Sequence, residues 1–223
     1  MPLRRSALLL SVVAAACASQ SGPSGEQAPA PTTLTAPPAV PGVLSRFSTE
    51  KLIVLPLQGL AASDPLGWRQ AAGRELTFIP HVDTLLEAEL TGRRLGAKWS
   101  FASALARAAR RNPTYLTDPY AIRGIPAIVA HLRKPENPLT EPFSSQVRAL
   151  AGVSDARFAL IPLDVRFDSV AGGGRPAMRL ALVDTRTAKV GWWGEVRGAT
   201  AEVYSATVLD DLIQRVADLV IPR

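Results

Sequence analysis

Apolar and polar positions alternate most regularly between Ala156 and Gly198. Phe158 to Leu163 is a continuous apolar run, the pattern of a strand covered on both faces. Strict alternation follows. Leu163, Val165 and Phe167 fall on one face, with Asp164, Arg166 and Asp168 on the other. Gly172-Gly173-Gly174 supplies a reversal, and Met178, Leu180 and Leu182 share a face on the return strand. Asp184-Thr185-Arg186-Thr187 is a turn, after which Val190, Trp192, Gly194 and Val196 alternate on a third strand. The triple glycine reads as a hairpin rather than a phosphate cradle, because no Lys-Ser/Thr follows it and no helix opens after it.

Ahead of this meander, Lys51 to Leu57 predicts a buried strand, and a short helical piece is expected around Trp68 to Leu76. Leu85, Leu86 and Leu90 mark the apolar side of a helix over Val82 to Arg94. Ala97 to Trp99 predicts a short strand, and Ser100 an N-cap for a helix over Phe101 to Arg111. Asn112-Pro113 stops that helix. Ile125 to Leu132 suggests a strand, Thr140 to Leu150 a helix, and Ala201 to Val220 a closing amphipathic helix. The order predicts an α/β fold: a mixed sheet with a carboxyl-terminal three-stranded antiparallel meander, packed by amphipathic helices.

Composition supports one domain of ordinary size plus a tail: 223 residues, 47% apolar and 20% charged. Two arginines in Met1 to Arg5 precede a short apolar run from Ala7 to Ala16 that ends in small residues. That is a secretory signal, too short to span a bilayer as a helix. The sole cysteine, Cys17, follows at once and leaves no partner for an internal disulfide. Val13-Ala14-Ala15-Ala16-Cys17 resembles the lipobox of bacterial lipoproteins, with Ala14 standing where Leu is commonest. The resemblance implies cleavage between Ala16 and Cys17 and a diacylglyceryl group on the cysteine. With Ala18 rather than Asp next, it also implies the periplasmic face of the outer membrane of a two-membrane bacterium. Several acyl chains anchor stably, at about 0.8 kcal/mol per buried CH₂.

The expected organisation is therefore a signal over 1–16, a lipidated tether over 17–47 and an α/β domain over 48–223. Pro29, Pro31, Pro37, Pro38 and Pro41 give the tether polyproline character. From Ala18 to Arg46 a coil spans about 30 Å and a stretched chain about 90 Å.

A second resemblance covers Lys51 to Val220. The strand Lys-Leu-Ile-Val-Leu-Pro-Leu, the later Ala-Lys-Trp strand, and Asp184 to Trp192 before a closing helix are similar to the TolB amino-terminal-domain class. Related envelope lipoproteins are the CsgG-like secretion factors and the activators of penicillin-binding proteins. Ala188 stands where that class often has Gly. The resemblance implies a protein-interaction module in the envelope, used in assembly or as a secretion accessory, with no catalytic residues to transfer. The alternative is a binding or hydrolytic domain for a cell-wall or small-molecule ligand.

Candidate chemistry is sparse. No Gly-x-Ser-x-Gly elbow is present, and Asp164 and Asp168 lie about 13 Å apart on a strand, too far for a glycosidase pair. An enzyme is not expected. His81 and His131 are read as surface or interface residues, so neither a metal nor a cofactor is expected. The formal charge of +6 falls to +4 once Arg4 and Arg5 leave with the signal, too little to argue for nucleic acid. Arg93, Arg94, Lys98, Arg107, Arg110 and Arg111 form the densest basic region, either a patch for anionic lipid or an acidic partner, or a solvated helix face. Arg107, Arg110, Arg111 and Trp193 are the candidate interaction residues. The expected partners are the membrane, through Cys17, and another envelope protein.

Overall fold

Leu52, Ile53 and Val54 are buried on both faces because their strand, β1 (Leu52–Val54), lies inside the sheet. The computed structural model describes residues 34–223. In it β1 pairs in parallel with β2 (Trp99–Ser100) on one side and β3 (Phe158–Val170) on the other. Antiparallel β4 (Gly173–Asp184) and β5 (Lys189–Arg197) complete the order β2-β1-β3-β4-β5. The expected mixed sheet with its closing meander is what the chain forms. Val170 pairs with Gly173, and Gly172 turns the hairpin at φ 84°, a left-handed conformation natural to glycine.

Helices cover both faces. On one lie α2 (Glu75–Gly92), contributing Phe78, Val82, Leu86 and Leu90, and α6 (Ala206–Asp218), contributing Leu209, Leu212 and Val216. A short α1 (Trp68–Ala72) adds Trp68, which meets Phe167 edge-on. On the other lie α3 (Ala102–Arg111), α4 (Ile125–Arg133) and α5 (Phe143–Val153), which bury Leu105, Ile128, Val147 and Leu150 against Ile53, Ala159 and Ile161.

Four local features differ from expectation. Ile125 to Leu132 is helical, not a strand. Ala127, Ile128 and His131 bury at helical spacing, and the proline of the Ile125-Pro126 start sits where its missing N–H costs nothing. Ser100 belongs to β2, and α3 opens instead on the Phe101 carbonyl, which accepts from the Ala104 and Leu105 N–H groups. Helix α2 begins at Glu75 and carries Pro80 inside it, well before the expected Val82 start. Finally, a bulge between Pro162 and Asp164 splits the predicted face: Leu163 joins the α3–α5 core, while Val165 and Phe167 join the α2–α6 core.

Residues 34–47, expected in the tether, lie against the domain. Ala36, Leu44 and Phe47 are buried. The Glu195 N–H donates to the Pro37 carbonyl, and the Ala39 N–H donates to the Glu195 carbonyl, so this strip runs parallel to β5 along the sheet edge. The Arg179 guanidinium reaches the Leu34 carbonyl at 3.4 Å. Phe47 also meets Phe158 edge-on at 4.9 Å.

Candidate functional site

The segment after β1 stays extended past Leu57, and there a cleft of about 330 Å³ opens. Carboxyl ends of parallel strands are where open α/β sheets place ligand crevices. Leu57 and Gln58 form its floor, Leu76, Ile79 and Pro80 of α2 one wall, and Tyr120 and Arg123 the other. Tyr120 belongs to a 3₁₀ turn, Pro119–Ala121, capped by Asp118, whose carboxylate accepts from the Tyr120 N–H.

Most polar groups of the cleft are committed to the protein's own backbone. The Gln58 amide donates to the Pro56 carbonyl and accepts from the Gly124 N–H. Arg123 donates to the carbonyls of Tyr120 and Ile122. Glu75 accepts from the Leu60 N–H and pairs with Arg69. The apolar wall is free by contrast. Leu76 is 82% exposed.

Behind Leu57 and Tyr120 sits Asp83, on the same α2 stripe as Ile79 and Leu86 and only 8% exposed. One carboxylate oxygen accepts from the Leu57 N–H at 2.9 Å; the other is buried with no hydrogen-bond partner. Burial pushes its pKa up to about 7, against the opposing pull of the Leu57 N–H and the Tyr120 side chain, and Glu87 adds to the rise. The Tyr120 hydroxyl is raised in turn, by burial and by the Asp83 charge. Sequence reasoning missed this group. Its signal was an acid standing in an apolar i, i+3, i+4 stripe.

The predicted interaction residues fall elsewhere. Arg107, Arg110 and Arg111 are exposed on α3 and have no ion-pair partner among the described residues. Arg93 leaves the basic group: it is bound to Glu89 and Asp218 and donates to the Ile221 and Gln214 carbonyls. Trp192 and Trp193 take opposite faces as expected, Trp192 against the α2–α6 core and Trp193 half-buried against the α3–α5 core. Cys17 and Ala16 lie outside the described residues.

Two further readings meet their geometry here. Asp164 pairs with Arg179, and Arg166 bridges Asp168 and Glu195, so these carboxylates belong to an ion-pair ladder across β3, β4 and β5. His131 is buried, not at the surface. Its Nδ1 lies 2.6 Å from the Asn137 carbonyl, and its Nε2 accepts from the Val190 N–H at 3.1 Å. Among the described residues no group of His, Cys, Asp and Glu is arranged to hold a metal ion. Among them, too, no helix is long and apolar enough to cross a membrane.

No protein-family model matches this chain, and no curated protein matches it. Among solved structures it is similar to the LpoB carboxyl-terminal domain from Escherichia coli, at 14% identity and a TM-score of 0.34, over 68% of this chain and 83% of that one. It is similar to the PelC dodecamer from Paraburkholderia phytofirmans at 15% identity and a TM-score of 0.37, over 85% and 96% of the two chains. The lipoprotein GNA1162 from Neisseria meningitidis gives 15% identity and a TM-score of 0.34, over 75% and 94%. At such scores nothing about the chemistry of the cleft follows from the likeness.

Proposed function

We propose that this chain is a lipid-anchored envelope protein, held through Cys17 at the periplasmic face of the outer membrane, whose α/β domain docks another envelope protein. The observation that carries the docking is the cleft after β1. Its apolar wall is open, with Leu76 82% exposed, while its polar side chains are spent on internal hydrogen bonds. A site built for a polar small ligand would leave donors and acceptors converging on free space. This cleft instead suits an apolar anchor residue of a protein partner, seated beside Leu76, Ile79 and Pro80.

The anchor rests on the Ala16-Cys17 junction in the sequence. Since the domain already starts at Leu34, the reach from Cys17 is at most about 60 Å, shorter than the sequence alone suggests. The test places a photo-crosslinking residue at Leu76 in intact cells, with Val203, 71% exposed and outside the cleft, as the control site. Adducts to an envelope protein from position 76 and none from position 203 are expected, and Cys17→Ser moves the chain to the soluble periplasmic fraction. Equal crosslinking from both positions overturns the docking; unchanged membrane fractionation of the Cys17→Ser chain overturns the anchor.

A further inference from the structure

Helix α3 stands apart in its electrostatics. Over Ala102–Arg111 it contains no acidic residue, and its exposed Arg107, Arg110 and Arg111 find no carboxylate among the described residues. Elsewhere Arg69, Arg93, Arg157, Arg166, Arg179 and Arg215 pair with acids; the exposed Arg74 and Arg94 do not among the described residues, but neither belongs to a run of three on one helix face. Arg107 is three and four residues from Arg110 and Arg111, so the three guanidinium groups share one face of the helix and repel one another. A negative charge from outside would relieve this repulsion. The hollow beside Arg110 also contains Asp118, but that carboxylate is occupied in capping the Tyr120 N–H.

Two further observations narrow the occupant. Immediately past the helix, Tyr115 is 82% exposed, an aromatic ring with a polar tip, the side chain favoured at a lipid–water boundary. The chain also enters the domain over the same side of the sheet. Leu34 is held by Arg179, which alternates with Ala181 and Val183 of the α3–α5 core, the core that contains Leu105 of α3.

We infer that the Arg107, Arg110, Arg111 and Tyr115 face docks on an anionic phospholipid surface. The arginines take the phosphate groups and the tyrosine ring enters the headgroup layer. The choice of a membrane over an acidic protein rests on the proposed lipid anchor, which keeps the domain within reach of such a surface.

The test uses the chain from position 17 onward with Cys17→Ser, which carries neither the signal nor an acyl group, so its outcome is separate from that of the anchor. Cosedimentation is measured with phosphatidylethanolamine–phosphatidylglycerol vesicles and with phosphatidylcholine vesicles. Binding to the first alone is expected, weakening as salt is added. The R107Q/R110Q/R111Q variant should lower the partition coefficient about a hundredfold, each arginine near an anionic surface being worth roughly a fivefold change. Its melting temperature should stay at or above that of the parent, because the mutual repulsion is gone. Equal binding to both vesicle types, no binding to either, or undiminished binding of the triple variant overturns the inference. Capture of an acidic polypeptide in place of the anionic vesicles does so as well.

Discussion

Asp83→Asn isolates the energetic cost of the carboxyl behind the cleft. In the folded protein this group holds its proton up to about pH 7, against an ordinary value of 3.8. Below pH ~4 both folded and unfolded chains carry the proton and the site imposes no penalty. Between pH ~4 and ~7 the unfolded chain releases it while the folded chain does not, so stability falls as pH rises. Above pH ~7 the full penalty is present, about 4 kcal/mol, since each tenfold rise in proton affinity on folding corresponds to roughly 1.4 kcal/mol. An asparagine keeps the acceptor for the Leu57 N–H and never ionises. Urea denaturation of both proteins at pH 5 and pH 8 measures the difference, in which titrations common to the two cancel. Relative to the variant, the wild-type protein should lose about 2–3 kcal/mol between those two conditions. Tyr120→Phe removes a group that favours the charged form and should steepen the loss. A wild-type curve parallel to the variant across this range, or a variant less stable at pH 8, refutes the reasoning.

His131→Ala leaves the Val190 N–H and the Asn137 carbonyl without their partner, so denaturant midpoints should report a loss of about 2–4 kcal/mol. Leu180→Asp places an unpaired charge at a fully buried position on β4 and should abolish cooperative thermal unfolding, leaving a flat calorimetric trace.

The meander was legible because two independent signals agreed there, alternation at period two and glycines at the reversal. Where a single signal stood alone the chain was harder to read. Ile125 to Leu132 is apolar with little contrast between faces, and only burial by the α3–α5 core shows it to be helical. The bulge at Pro162–Asp164 was invisible because Leu163 sits between an all-apolar run and an alternating one and suits either side. Proline-rich composition hid the strip from Leu34 to Phe47. Its pairing with β5 uses backbone groups, and its burial falls on a few scattered side chains. Candidate arginines could be found by counting charge, but which of them were free depended on carboxylates distant in sequence, as Asp218 is for Arg93. Asp83 needed the third dimension, since its character comes from the Leu57 segment and Tyr120 closing over it.

The strip along β5 also decides how the body yields to tension. A pull transmitted down the chain from before Leu34 meets the Arg179 clasp first, and then the two backbone hydrogen bonds of Glu195. Peeling residues 34–40 away, as far as the Gly42 and Leu44 N–H groups that donate to the Asp218 and Leu219 carbonyls, lengthens the leash by about 20 Å and bares the outer edge of β5 for pairing with another strand. The domain therefore has a mechanical fuse at its point of attachment, and blowing it exposes an adhesive edge.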